Sequence, residues 1–322
     1  MARNHFYRIA IHSQAIPGMH SFEWGRVMEA SESQVCIVGV GLTGAVVARG
    51  LSTKVVRCFD KSRGAGGRMS TRRTESGVIN HGAPSFIASD TAFRAQVDAW
   101  AKAELLQADL TTPNLFRPIG AMNRLIKALH QGLDVTFQMR LIALEKTTTG
   151  WRLRFENGHV HDAKNVVLTM PSPQMIELLT ASRLPTADVE NIRYVPQWAV
   201  LIEGARQQLD PERLPRGTQQ VSHAGGLCVH FAPSWSEENL ELTPMEVIER
   251  LREIAPPTFQ AFSAHRWRFA RVNTSIASTY IEHPAGHLWL CGDGFGGEGI
   301  EVSYLSAISC VNALRSSTKS LQ

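Results

Sequence analysis

The sequence predicts an α/β fold in which a parallel-sheet domain, assembled from both ends of the chain, holds an inserted domain of mixed β/α character. Three observations predict it. A short β-branched run, Val35-Cys36-Ile37-Val38, breaks into a glycine-rich turn and then a helical pattern. A similar apolar run, His287 to Cys291, enters a second glycine cluster near the other end. Between them, roughly Ser172 to Pro284 is richer in strands and loops. The chain has 322 residues, about twice an average domain, so two cooperating domains or one large α/β unit are expected.

Composition removes several classes of function. Lys and Arg number 33 against 29 Asp and Glu, a net charge of +4 with no basic block, so nucleic acid is not an expected partner. No run of 18 apolar residues exists, so neither a membrane span nor a membrane partner is expected. Hydrophobic residues at 43% and charged residues at 19% leave ample material for the core of an ordinary soluble protein. Cys36, Cys58, Cys228, Cys291 and Cys310 are scattered and odd in number. They read as reduced thiols of a cytoplasmic protein, not as a disulfide framework or a zinc site.

Residues 1–33 mix His, Arg and aromatics without a period or an apolar h-region. They read as a leader, disordered or the product of a start assigned upstream of Met28. From Gln34 the signals sharpen. Leu42 to Leu51 reads as a helix and Val55 to Asp60 as a second strand. Phe93, Val97, Trp100 and Ala101 fall at helical spacing, as do Met122, Leu125, Ile126 and Leu129. Asp134 to Thr147 and Trp151 to Phe155 read as strands, the latter joined by the tight turn Glu156-Asn157-Gly158 to a strand from Val160. Val166 to Leu168 is a buried strand stopped by Pro171 and Pro173. One long helix is expected near Ser236 to Ile254, and Ile300, Tyr304, Ala307, Ile308, Val311 and Leu314 mark one face of a terminal helix. The domain boundaries expected from this order place 34–80, 120–171 and 285–322 in one domain, and 81–119 and 172–284 in the inserted one.

Three constellations carry chemistry. The first is GVGLTG at 39–44, between strand and helix. Gly39 permits the turn, Gly41 lets a pyrophosphate approach the backbone, and Gly44 lets the helix pack close to the sheet. Asp60 lies 21 residues beyond Gly39, at the end of the second strand, where a carboxylate binds ribose hydroxyls. A glycine loop alone also fits a tight packing turn. With strand, helix and acid in register, the reading is a Rossmann-type FAD/NAD(P)-binding domain. The second is Lys61 to Met69, KSRGAGGRM, where glycines let a loop lie against a phosphate and an arginine holds it bidentately. Placed directly after Asp60, it shifts the reading from NAD to FAD. The third is CGDGFGG at 291–297, in which Asp293 ends a strand and a helix N-terminus follows. The pair suits a ribityl chain and the flavin N1–C2=O edge, and equally a helix cap at a surface turn.

The chain resembles the renalase-like flavoproteins of the flavin-containing amine oxidase superfamily from Val35 to about Arg315. The resemblance rests on FDKSRGAGGRMSTRR at 59–73, HGAPSF at 81–86, VLTMPSPQ at 167–174, HFAPSWSEENL at 230–240, AHRWRFAR at 264–271 and LCGDGFGG at 290–297. It implies non-covalent FAD held across the Rossmann-type domain, with the inserted domain over the isoalloxazine ring. Carried over by position, Gly39, Gly41, Leu42, Thr43, Gly44 and Asp60 would hold the ADP half. Lys61, Arg63, Gly67, Arg68 and Met69 would form the pyrophosphate loop, and Val135 would meet the adenine edge through its backbone. Gly292, Asp293, Glu301 and Val302 would line the ribityl–phosphate and flavin region. The resemblance further implies an oxidase that takes hydride from a dihydronicotinamide, an isomer of NAD(P)H, and passes electrons to molecular oxygen, giving NAD(P)+ and hydrogen peroxide. An amine oxidase, another flavin dehydrogenase of the superfamily, or a non-catalytic FAD-binding module are the alternatives.

The sequence departs from that pattern at three places. Asn80 stands where an acid commonly precedes Gly-Ala, Val302 stands where glycine is usual, and Ala83 to Gly120 looks shortened by a strand pair. His265, Arg266 and Trp267, with Arg268 and Arg271, are the catalytic-side candidates. They place an aromatic and cations near a phosphate-bearing substrate, or else form a strand with Trp267 in the core and arginines at its rim. His159, His161 and Asp162 follow a hairpin turn and read as an exposed polar face, not a metal site, and no other metal set is expected. Glu177 and Asp188 read as solvated, and no Ser/His/Asp set presents itself.

Overall fold

The computed structural model describes residues 33–51, 55–259 and 261–319. In chain order these form β1 (Ser33–Val38), α1 (Leu42–Gly50), β2 (Val56–Phe59), β3 (Thr71–Thr74), β4 (Gly77–Asn80), β5 (Phe86–Ile87), α2 (Thr91–Lys102), β6 (Leu106–Ala108), β7 (Leu115–Pro118) and α3 (Asn123–His130). There follow β8 (Val135–Thr136), β9 (Leu141–Lys146), β10 (Trp151–Phe155), β11 (Val160–Leu168), α4 (Ser172–Ala181), β12 (Arg193–Glu203), β13 (Gln219–His223) and β14 (Gly226–His230). The chain ends with α5 (Pro233–Glu238), α6 (Pro244–Arg252), β15 (Phe262–Thr274), β16 (Ile281–Glu282), β17 (Leu288–Leu290) and α7 (Gly299–Lys319). The fold is mixed α/β, as expected.

The largest sheet runs β16-β17-β11-β1-β2-β8, with β10 and then β9 joined to β11. β17, β11, β1, β2 and β8 are parallel neighbours. Leu290, Leu168, Val38 and Phe59 stand in register, so four strands end in one row. The chain leaves that row into Cys291–Asp293, Thr169–Pro171, Gly39–Gly41 and Asp60–Ser62, the crevice where open α/β sheets take ligands. Ile37 and Val167 bury one face of this sheet under α1, α2, α3 and α7, while Cys36, Val166 and Leu168 bury the other against α4 and the β9–β10 hairpin. Near-continuous apolar strands follow from burial on both faces.

A separate antiparallel sheet, β13-β14-β12-β15, packs one face on α5 and α6 through Trp198, Val200, Ile202, Val229, Val247 and Leu251. Its other face meets Ile79 of the β3–β4 hairpin through Ala199, Leu201 and Cys228, with Trp267 against them. The segment 83–120, expected to lack a strand pair, holds α2 and the three-stranded sheet β5-β7-β6.

Four expectations need correction. The long helix near Ser236 to Ile254 is two helices. Pro244 cannot continue an earlier helix, and Thr243 with Glu246 forms a capping box that starts a new one. Asp134 to Thr147 is two strands, since Gln138 takes a left-handed φ of +59° and sends β9 away from the parallel ladder. Ser33, placed in the leader, is the first residue of β1 and pairs with Ala163, while residues 1–32 lie outside the described residues. His161 is not on an exposed face. It is 1% exposed, lies 2.9 Å from Ser33 Oγ and sets its ring edge-on to Phe59. Strand pairing covers only the edges of β11, where Leu153 of β10 is opposite His161, and what buries the imidazole is the packing of Phe59 and Ser33 on the face from which it projects.

All five cysteines are buried and unbridged. Among the described residues, no helix is long and apolar enough to cross a membrane, and no group of three or more His, Cys, Asp or Glu has a metal-holding arrangement.

Candidate functional site

At the row of strand ends lies an open cleft of about 1230 Å³ that reaches from the glycine turn after β1 to the upper face of the four-stranded sheet. Its size exceeds the usual range for a single drug-sized ligand and suits a dinucleotide with a second molecule beside it.

The phosphate side is built by local chemistry. Gly39 takes φ of +88°, a turn no L-residue makes cheaply. A Cβ on Gly41 would meet nothing within 4 Å, so the loop keeps open the space in front of it. The N-terminus of α1 has no side-chain cap and no acid in its first turn, leaving its amides and positive dipole end turned to the cleft. Gly67, in the loop after β2, comes within 3.7 Å of Gly41 Cα as measured from its ideal Cβ, so the two glycine loops face each other. Asp60 ties the turn together: Oδ2 accepts from the Val40 N–H at 2.7 Å, and Oδ1 accepts from the Ser62 N–H and hydroxyl at 2.8 and 2.6 Å. A Cβ on Gly44 would collide with the Gly39 carbonyl oxygen. Gly44→Ala is therefore expected to cost about 3 kcal/mol through overpacking, read as a lower urea midpoint. An unchanged midpoint would mean that turn and helix move apart freely.

The second glycine loop meets the third constellation directly. Arg68 donates two hydrogen bonds to Asp293, each 2.5 Å, across 225 residues of chain. Asp293 is buried, and Tyr194 of β12 donates its hydroxyl to the Asp293 carbonyl at 3.1 Å while its ring lies 5.7 Å from the guanidinium. Burial opposes the Arg68 charge, but the carboxylate more than offsets it and holds the guanidinium above its ordinary value. Burial, then the Asp293 charge, pushes the Tyr194 phenol up. Lys61, at the cleft edge, donates to Gln174 at 2.9 Å, and burial with the nearby Arg140 lowers its pKa.

The far wall is formed by His81, His230, His265 and Trp267. The Trp267 indole donates to the His81 carbonyl at 2.9 Å, and its ring lies 4.1 Å from that of His265 and 5.5 Å from that of His81. Burial is the first cause holding His81 and His230 down to about 4, and it lowers His265 as well.

Of the residues expected at the site, Gly39, Gly41, Leu42, Thr43, Asp60, Lys61, Gly67, Arg68, Met69, Asp293 and Glu301 line the cleft with His265, Arg266 and Trp267. Gly44, Arg63, Val135, Gly292 and Val302 do not line it. Gly44 is the packing contact described above. Val302 packs on Gly297, and the Gly292 amide donates to Ser306 Oγ at 2.8 Å. Arg63 is exposed on its loop. Val135 lies on the edge strand β8, where the ladder to β2 uses the carbonyls of Asp134 and Thr136 and directs Val135's own amide outward. Glu301 lines the cleft but is held by the Ser89 and Asp90 amides at 2.6 and 2.9 Å, tying α7 to the start of α2. In the β15 stretch Trp267 packs on the small core cluster and also lines the cleft, while Arg266 and Arg268 reach Glu241.

Asn80, where the resemblance leads one to expect an acid, is fully used. Its carbonyl accepts from Thr71 Oγ at 2.6 Å and the Met122 amide at 2.8 Å, while its NH2 donates to the Gly120 carbonyl at 3.0 Å, a bond no carboxylate could make. Sequence reasoning missed the roles of His81, His230, Tyr194 and Gln219. One signal was available: His-x-Ala-Pro-Ser occurs at 81–85 and again at 230–234, each time as a strand end leading to a proline.

Comparison with known proteins agrees with this geometry. Residues 37–100 match the model for an NAD(P)-binding Rossmann-like domain, and residues 93–203 match that for flavin containing amine oxidoreductase. A solved structure from Exiguobacterium sp. 255-15, provisionally described as a protoporphyrinogen oxidase, is similar over 89% of this chain and 99% of that one, with a TM-score of 0.64 and 12% identity. At that identity the likeness speaks for the fold. The two family matches support a flavin-dependent oxidoreductase of the amine oxidase superfamily.

Proposed function

We propose that the chain is a renalase-like, FAD-dependent oxidase that takes hydride from a dihydronicotinamide, an isomer of NAD(P)H, and passes two electrons to oxygen. The net change is dihydronicotinamide plus oxygen and a proton to NAD(P)+ and hydrogen peroxide. The observation that carries this reading is the continuity of one cleft from the facing Gly41 and Gly67 loops to the Trp267–histidine wall. The first end suits a pyrophosphate, and the second offers a flat aromatic face for a ring substrate.

The residues present fit a non-covalent flavin. Gly39, Gly41, Leu42, Thr43 and the α1 N-terminus would hold the pyrophosphate, Asp60 the ribose hydroxyls, and the Val135 amide the adenine edge. Arg68, Asp293 and the N-terminus of α7 would meet the ribityl and ring end. The flavin, when bound, supplies hydride acceptance. The protein's own part is to place the donor ring against the wall, keep water from it, and provide a positive field where negative charge gathers. In this reading, 34–80, 120–171 and 285–322 hold the cofactor, and 81–119 with 172–284 hold the donor. No general base is required, since the ring nitrogen lone pair drives hydride loss.

A lipophilic donor is the second reading. Ile87 and Ile142 both line the cleft at 54% and 44% exposure, an apolar mouth that a hydrophobic molecule would cover.

An anaerobic absorbance spectrum of purified, FAD-reconstituted protein separates these readings. On addition of isomeric dihydronicotinamides, the oxidised-flavin bands are expected to bleach within seconds and return with air, with peroxide formed. Bands that persist with these donors but bleach with a lipophilic one would favour the second reading. Protein that takes up no FAD would remove both.

A further inference from the structure

One group of side chains has no task in the hydride step itself. In the four-stranded sheet, Ala199 of β12 stands opposite His230 of β14 on one side and His265 of β15 on the other, and His230 stands opposite Gln219 of β13. Residues opposite one another in a sheet point to the same face. Gln219, His230, Ala199 and His265 thus form one row, with the alanine leaving a gap between two imidazoles. His81 covers the row from beyond β4, its ring 5.3 Å from that of His265. Gln219, His230, His265 and His81 all line the cleft beside Trp267.

His81 is 8% exposed, and its Nδ1 has no hydrogen-bond partner among the described residues. A buried ring nitrogen in that state is costly unless a ligand or water meets it. His230 Nε2 lies 3.3 Å from Cys228 Sγ, a weak partner that leaves its other nitrogen to the row. The groups that face the cluster are Arg72 on β3, His223 on β13 and the histidines themselves. Their charges add to burial in disfavouring protonation. At neutral pH the row therefore presents uncharged imidazoles, each with a donor and an acceptor, and the Gln219 amide.

Such a row suits a neutral group that both donates and accepts. A protonated amine meets the positive field of Arg72 and loses its water, and a carboxylate, though drawn by that field, must give up its water to a row whose own donors are uncharged, a loss the more distant Arg72 does not offset. We infer that His81, His230, His265 and Gln219 form a recognition site for an uncharged carboxamide carried on a flat ring that stacks on Trp267. The inference deepens the dihydronicotinamide reading by naming the group that would be recognised.

Isothermal titration at pH 7.5 tests it, using the full chain with and without FAD and three probes: nicotinamide, nicotinate and benzylamine. Nicotinamide is expected to bind at least tenfold tighter than either charged probe. His265→Phe, which keeps a ring but removes both nitrogens, is expected to weaken nicotinamide at least tenfold, whereas His265→Gln, which keeps a donor and an acceptor, is expected to recover most of that loss. Circular dichroism confirms that both variants fold. Equal binding of nicotinamide and nicotinate, no binding at millimolar probe, or His265→Phe within twofold of the parent would overturn the assignment. Discrimination that survives in protein unable to take up FAD would uphold this site while removing the flavin reading, so the two failures are distinct.

Discussion

Asp293→Ala is expected to lower stability by about 3 kcal/mol, near the low end for breaking a buried ion pair because Arg68 keeps partial access to water. The loss comes from the partner left behind. Arg68 would remain beside Tyr194 and the glycine loop, with burial opposing its charge and no carboxylate to offset it. Tyr194 would keep the Asp293 backbone carbonyl as an acceptor, so the change isolates the carboxylate. The double variant Arg68→Met with Asp293→Leu removes both charges and is expected to recover much of the loss, since an apolar pair of similar volume is often neutral. Urea unfolding of the two singles and the double measures this as a cycle. Additive losses would sink the idea of a coupled pair. The pair also joins the loop after β2 to the turn after β17, so on the proposed cofactor reading each single variant should copurify with less FAD.

Acid should weaken the fold at a pH set by histidines. His81, His161, His223 and His230 are held at about 4 against an ordinary 6.5, first by burial in every case. Between these values the unfolded chain binds more protons than the folded one, so stability rises with pH. The contribution is complete above pH 6.5 and is lost as pH falls from 6.5 through 4. One such histidine is worth about 3 kcal/mol at full development. His81 and His230 oppose each other's charge, so the set is not additive, and a loss on the order of 5 kcal/mol between pH 7.5 and 4.5 is expected. Urea midpoints at pH 7.5, 6.0 and 4.5 read it. Carboxylates also titrate near the lower limit, so a His81→Asn, His230→Asn variant is the control. Its stability should depend less steeply on pH between 6.5 and 4.5 than the parent's, and an identical slope would show that these two rings are not the cause.

Much of the parallel unit was legible in the sequence because its rules are local. The β-branched run before Gly39, the glycine spacing and the acid after the second strand are short-range consequences of turn sterics and strand burial, and β1, α1 and β2 lie within two residues of their expected places. The break between α5 and α6 was also readable, since Thr243-Pro244 with Glu246 carries both a stop and a capping box, but the helical period on either side masked it.

Other features depend on what lies across the molecule. The alternation around His161 looks the same whether its face is solvated or covered, and only the packing of Phe59 and Ser33 from neighbouring strands buries it. Three histidines became one wall because register set His230 and His265 on either side of Ala199 and the β3–β4 hairpin brought His81 over them. Arg68 and Asp293 were each placed at a cofactor by their motifs, while their union followed from strand order, which set the ends of β2 and β17 at one crevice. By itself the sequence determined the glycine turns, the acid at the second strand's end and the α/β order, because sterics and burial act over a few residues. The tertiary structure decided which polar groups share a cavity and which are stripped of water, because strand register and desolvation depend on neighbours hundreds of residues away.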